Sequence, residues 1–292
     1  MSVRRVDRRR KWLLPIALTL SGAFVGVLLA EASLRLLGIS YPQLYAPDEI
    51  CGSRLRAGAV GSWLAEGRSY VRISSSGLRD DEHTPVKPAD AFRVAVLGDS
   101  FAEALQVAAQ DTFWAVAERE LSSSTALSEA SVEFINFGVS GYGTAQELLT
   151  LRHRVWQFEP DLVVLAVCHN DLQDNSSKLG GREAKPYFVL QNGQLVSDTS
   201  FLQSAVYLTA QTDYEQWKAR VINTSYVLQV LKQAKMNWQQ VFKEQPEPPR
   251  LLHGLRDMAT ANNIYAAPNS EAEVEAWEFT ERLVSQIAQE VA

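Results

Sequence analysis

Three short clusters of small and polar residues could carry chemistry. Gly98-Asp99-Ser100-Phe101 directly follows an apolar run, Phe92 to Leu97. Asn136-Phe137-Gly138-Val139-Ser140-Gly141-Tyr142-Gly143-Thr144 follows a second, Val132 to Phe137, and His169-Asn170-Asp171 follows a third, Asp161 to Cys168. A serine hydroxyl becomes a nucleophile only when a neighbouring base takes its proton. Fixed N–H donors about 3 Å from the attacked oxygen then stabilise the charge that develops on it. A serine, a glycine-rich turn and an asparagine amide can supply those parts if they converge on one spot.

The surrounding pattern predicts that they do. The three apolar runs read as buried strands, alternating with helical periodicity over Asp111 to Leu121, with Asp111 as cap, and over Thr144 to Phe158. Strands alternating with helices form a parallel sheet covered on both faces, and ligands bind at the carboxyl ends of its strands. The expected fold is therefore α/β, a three-layer αβα arrangement. Beyond Asn170 the rhythm changes. Asn192-Gly193 between apolar residues signals a hairpin over Tyr187 to Val196. Helices are expected over Tyr226 to Phe242, Leu251 to Asn262 and Glu271 to Val291. Trp217, Trp238 and Trp277 fall on helical segments and read as packing residues.

The three clusters match, in order and spacing, the motifs of the SGNH (or GDSL) hydrolases, which the chain resembles from about Phe92 to Asn175. The resemblance implies a flavodoxin-like parallel sheet and a serine esterase or lipase. It implies that Ser100 is the nucleophile and that the N–H groups of Ser100 and Gly141 and the amide of Asn170 hold the oxyanion. Cysteine stands at position 168, where the family usually has glycine. The segment Ser74 to Glu82 resembles one that precedes the core in membrane-anchored relatives. The family's base comes from a downstream Asp-x-x-His block. The histidines here are His83, His153, His169 and His253, and Arg250, not aspartate, stands three residues before His253. Asp80-Asp81-Glu82-His83 has the right spacing but precedes the nucleophile, and reads as a solvated turn. His169 points away from the site if strand alternation persists, and His153 and His253 read as surface residues. The expectation is that the sequence lacks its carboxyl-terminal part, leaving the sheet incomplete with an open edge and the chain weakly active or inactive.

Trp12 to Ala30 is free of charge and just spans a hydrocarbon core of roughly 30 Å. The arginines before it predict a cytoplasmic tail and an extracytoplasmic, periplasmic or extracellular, remainder. An uncleaved anchor is preferred to a signal peptide because the run exceeds the usual h-region. The expected organisation is a basic tail (1–11), a transmembrane helix (12–30), a juxtamembrane region of mixed character (31–90) and a catalytic domain (91–292) with an insertion over about 176–250. The first eleven residues hold six of the 28 basic residues and one of the 34 acids. The rest of the chain therefore carries about −11, which argues against nucleic acid as a partner. Cys51 and Cys168 form neither a disulfide framework nor a metal pair. Asp171 and Asp174 lack further ligands at useful spacing, so no metal or cofactor is expected. Asn175-Ser176-Ser177 and Asn223-Thr224-Ser225 match glycosylation acceptors, a pattern common by chance. The expected partners are an ester-bearing small molecule, lipid or acylated glycan, and the membrane through the amino-terminal helix. Two rival functions use the same pocket: a non-catalytic binding or scaffold protein, and an O-acetyltransferase acting on cell-surface polysaccharide.

Overall fold

A computed structural model of the chain describes residues 7–124, 131–181, 184–241 and 267–292. Helix α1 (Asp7–Leu37) carries the apolar run. By length and composition its segment Trp12–Leu37 can cross a membrane, and none of that segment is buried. An apolar run left unburied suits lipid or a signal sequence better than a protein core.

Four short strands follow, β1 (Tyr45–Asp48), β2 (Gly52–Leu55), β3 (Val60–Trp63) and β4 (Ser69–Arg72), forming two antiparallel hairpins. They are not a loose tether. Leu44, Cys51, Leu55, Val71 and Ile73 are buried in the same cluster as Leu97, Phe137 and Leu148 of the central layers.

The central sheet consists of β5 (Ala91–Gly98), β6 (Ser131–Asn136) and β7 (Leu162–Ala166), parallel and in the order β6-β5-β7. Register pairs Val94 with both Phe134 and Leu162. On one face α3 (Phe113–Ser122) brings Trp114 against Val94, Val96, Val132 and Phe134. On the other, α4 (Thr144–Thr150) and the final helix, Glu271–Val291, set Leu148, Leu283 and Ile287 against Ala95, Leu97 and Ile135. The predicted three-layer αβα fold is present. Covering both faces explains why the strands read as continuous apolar runs. On the outer edge, beside β7, Leu162 and Val167 stay exposed.

Local details depart from expectation. Thr112, not Asp111, caps α3: its Oγ1 accepts from Ala115 N at 3.3 Å, whereas Asp111 is taken up in a 3-10 turn. The helix expected over Thr144 to Phe158 is α-helical only to Thr150. It widens into a π turn over Leu151–Val155 and ends in a 3-10 turn. That path buries Leu151, Val155 and Phe158 while Arg154 reaches out to Asp48.

Three short helices and a hairpin lie around the sheet's carboxyl edge and beyond: α2 (Ser100–Glu103), α5 (Asp171–Asp174), α6 (Ser177–Gly180), and β8 (Tyr187–Gln191) with β9 (Gln194–Asp198). The hairpin turns at Asn192 and Gly193, both left-handed, as that dipeptide predicts. Helices α7 (Ala205–Ala210), α8 (Asp213–Thr224) and α9 (Tyr226–Val241) follow, and Glu271–Val291 is α10. The expected helix over Leu251 to Asn262, and His253 within it, lie outside the described residues. Glu31 near the end of α1 accepts from Ser225 Oγ and from the N–H groups of Tyr226 and Val227, which straps the α8–α9 junction to the apolar helix. Trp217, Trp238 and Trp277 are not core residues, being 60%, 65% and 40% exposed.

Candidate active site

Ser100 opens α2 immediately after β5, and the buried carboxylate of Asp99 caps that helix by accepting from Phe101 N at 2.9 Å. The other oxygen of Asp99 ties two of the three motifs together. Asp99 Oδ2 accepts from Asn170 Nδ2 at 2.8 Å and lies 3.5 Å from Ser100 Oγ. The Ser100 hydroxyl and the Asn170 amide thus face one carboxylate oxygen at the carboxyl edge of the sheet. Asn170 Nδ2 also reaches Asp174 Oδ2, at 3.3 Å, while its Oδ1 is buried without a partner.

The glycine-rich turn joins through α2. Ser140 donates to Glu103 Oε2 from its N–H at 3.1 Å and from its hydroxyl, and Tyr45 OH donates to the same carboxylate. The residue before Gly141 is therefore pinned one helical turn from Ser100. Gly141 itself has φ 81, a left-handed conformation that favours glycine. Behind it Gly138 lies flat on α2: a Cβ there would come within 2.5 Å of Ala102 Cβ and 2.8 Å of Glu103 N. Gly138→Ala is expected to force the two turns apart and cost about 1–3 kcal/mol of stability. Chemical denaturation checks this, and an unchanged midpoint would show that the turns are not in close contact.

Burial sets the protonation of the neighbouring carboxyls. Glu147 on α4 is fully buried with neither oxygen hydrogen-bonded among the described residues. Burial, and then the charges of Asp171, Asp99 and Asp174, hold its carboxyl well above the ordinary range. Burial likewise pushes Asp171 up, reinforced by Asp99 and Asp174 and opposed by the Cys168 N–H and Lys185. Glu103 is pushed up to about 7 by burial, against its hydrogen bonds and the nearby Arg79. Among the described residues Lys185 brings an ammonium to this group, 3.0 Å from Asp174 Oδ1. Cys168 is held up to about 12 by burial and by Asp99 and Asp171, so it is not a thiolate nucleophile.

The histidines divide. Asp80 and His83 are not a solvated turn: both are largely buried, 3.3 Å apart, and Asp80 Oδ2 accepts from Asn136 N on the outer edge of β6. They cap a sheet edge. His169 does not follow strand alternation, because β7 ends at Ala166. Its ring stands edge-on to Phe101, centroids 6.3 Å apart, and its Nε2 is buried without a partner. His153 is exposed. Among the described residues, Asp99 is the one hydrogen-bonding neighbour of Ser100 Oγ, and 3.5 Å is too long for effective proton transfer.

Several positions that shape the site were not singled out in the sequence. Arg79 is buried and donates to the carbonyls of Glu103 and Val107, so the Ser74–Glu82 segment is fastened to the nucleophile turn. Glu103 and Glu147 offered only one signal, a lone carboxylate within an apolar stretch. Asn175 is a structural residue, not a glycosylation acceptor: it is buried and bonded to Ala145 N, Thr144 and Thr280. Among the described residues no group of histidine, cysteine and carboxylate side chains has the arrangement of a metal site.

The family model of the GDSL-like lipase/acylhydrolase family matches residues 96–284, more than half of the chain, a span that includes Ser100, Gly141 and Asn170. No curated protein matches the chain.

Proposed function

The chain belongs to the GDSL-like lipase/acylhydrolase family, and from that premise we propose that it cleaves carboxylic esters of a lipid or an acylated glycan on the outer side of a membrane. Ser100 Oγ attacks the ester carbonyl. The N–H groups of Ser100 and Gly141 and the amide of Asn170 receive the developing oxyanion. One observation carries the reading: Ser100 Oγ and Asn170 Nδ2 both lie against Asp99 Oδ2. A carbonyl oxygen entering there displaces the longer of the two Asn170 bonds, the one to Asp174.

The proton acceptor is the weak point of the site. With Asp99 the one neighbour of the hydroxyl among the described residues, and at 3.5 Å, turnover by this chain is expected to be slow. The outer location rests on the arginine cluster before the apolar helix, which favours a cytoplasmic amino terminus.

A boronic acid tests the site without requiring fast turnover, because its boron becomes tetrahedral on bonding to a serine oxygen. Boron NMR of the full-length protein in detergent is expected to show a tetrahedral adduct that disappears in Ser100→Ala. A signal of equal size in that variant would refute the assignment.

A further inference from the structure

Beside Gly141 the chain forms a cavity of about 430 Å³, bordered among others by Tyr142, Tyr45, Arg56 and Gln216. That volume suits a small ligand. One wall runs against the charge of the protein as a whole. Arg56 donates from Nη1 to Gln216 Oε1 at 3.0 Å and from Nη2 to the carbonyl of Tyr45 at 3.1 Å. Its Nε is buried without a partner, and none of its contacts among the described residues is a carboxylate.

Further cations surround it. Arg220 of α8 is exposed and acts on Arg56 through its charge, as does Arg54. Lys232 of α9 is half-buried against the neutral side chain of Gln43, with the charges of Lys218 and Arg56 set against that of Glu215, which also borders the cavity. Of the acids near this group, Glu215 is paired with Lys218 and Asp48 with Arg54 and Arg154. Among the described residues Arg56, Arg220 and Lys232 form no ion pair, in a chain of net charge −6. Cations drawn partly out of water without a counter-charge are costly, unless an anion joins them when the site is filled. A guanidinium N–H kept dry and unpaired is a donor held ready for such an anion.

We propose that this cavity receives an anionic group, a carboxylate or a phosphate, carried by the ester substrate, and that Arg56 holds it. The inference deepens the acyl-transfer reading and rests on it for the word substrate, since Gly141 is one of the residues that line the cavity. An oxyanion accepting from Arg56 Nε fills the missing bond, while Arg220 and Lys232 add attraction at longer range. Either a sugar acid or an anionic lipid headgroup presents this chemistry.

Equilibrium binding to the full-length protein in detergent distinguishes them. Galacturonate, galactose 6-phosphate and galactose are compared, and binding to lipid nanodiscs containing phosphatidylglycerol is compared with binding to phosphatidylcholine nanodiscs. At least one anionic probe is expected to bind about tenfold tighter than its uncharged or zwitterionic counterpart, with an advantage that shrinks as salt rises. Preference among the sugars identifies a soluble substrate, and preference among the nanodiscs alone identifies a headgroup. Arg56→Gln is expected to abolish the preference and Arg56→Lys to keep part of it. Ser100→Ala is expected to leave it intact, which separates failure of this site from failure of the nucleophile assignment. Should Arg56→Gln not fold, Arg220→Gln at the exposed position is expected to weaken the preference about threefold. No anion preference in either format, or a full preference surviving the Arg56→Gln or Arg220→Gln change, would overturn the proposal.

Discussion

Ester turnover is expected to fall to the buffer rate in Ser100→Ala, and Asn170→Ala is expected to lower kcat by roughly 10²–10³-fold with KM little changed. The second figure follows from the loss of one pre-positioned donor, worth about 3–4 kcal/mol in the barrier when the charge forms away from bulk water. KM should hold because the donor strengthens its bond only as the carbonyl becomes an oxyanion. Asn170 also separates two carboxylates, Asp99 and Asp174, by donating to both. Asn170→Asp replaces that donor with a third negative charge, so it is expected to be at least as inactive as the alanine variant. A merely structural role for Asn170 predicts something else: a lower melting temperature, with kcat recovered in the cold. Initial rates on a short-chain p-nitrophenyl ester, measured beside thermal melts, distinguish the two. Equal turnover by wild type and Ser100→Ala would end the serine mechanism for this chain.

How much of this the sequence could say depended on the range of the forces involved. The strands β5, β6 and β7 are continuous apolar runs because both faces of the sheet are covered, so burial is written into consecutive residues. The motif turns follow directly, since a strand ending in Gly-Asp-Ser or Asn-Asp places its polar residues at the carboxyl edge. The strands β1 to β4 were not legible. Each has four residues, too few for alternation to rise above chance, and each depends on a partner across a turn. Arg79 was hidden for a similar reason. A charged residue is buried only where carbonyls from elsewhere meet it, and these belong to Glu103 and Val107. For His169 strand alternation gives no guide to direction, because the strand has already given way to a turn after Ala166. The tryptophans show the limit of reading by residue type: helical spacing identified the helices of Trp217, Trp238 and Trp277 but not which face of each is covered.

The protein should be more stable in mild acid than in mild base, which is the reverse of what ion-paired carboxylates produce. Burial raises Glu103, Glu147 and Asp171, and the same cause raises the partly buried Glu118. The folded protein therefore holds these protons more tightly than the unfolded chain does. The resulting stability is complete below the ordinary carboxyl range and is lost as pH rises through the folded values. For Glu103, moving from 4.5 to about 7, the contribution is on the order of 3 kcal/mol at about 1.4 kcal/mol per pKa unit. His83, raised by its hydrogen bond to Asp80 despite burial, acts in the same direction. Opposing groups do not interfere in this window. Asp161 and Glu290 are lowered, so the stability they supply is lost only when pH falls below the ordinary carboxyl range. Melting temperature is thus expected to drop by roughly 5–10 °C between about pH 5 and pH 8 in a domain of this size. Glu103→Gln cannot lose a proton and should flatten that slope. Glu147→Gln should flatten it as well, because burial lets the folded protein keep the Glu147 proton where the unfolded chain gives it up. A melting temperature that rises across the same interval would mean that these carboxyls are ionised in the folded protein, and that the anionic cluster behind Ser100 is neutralised by a cation instead of by protons.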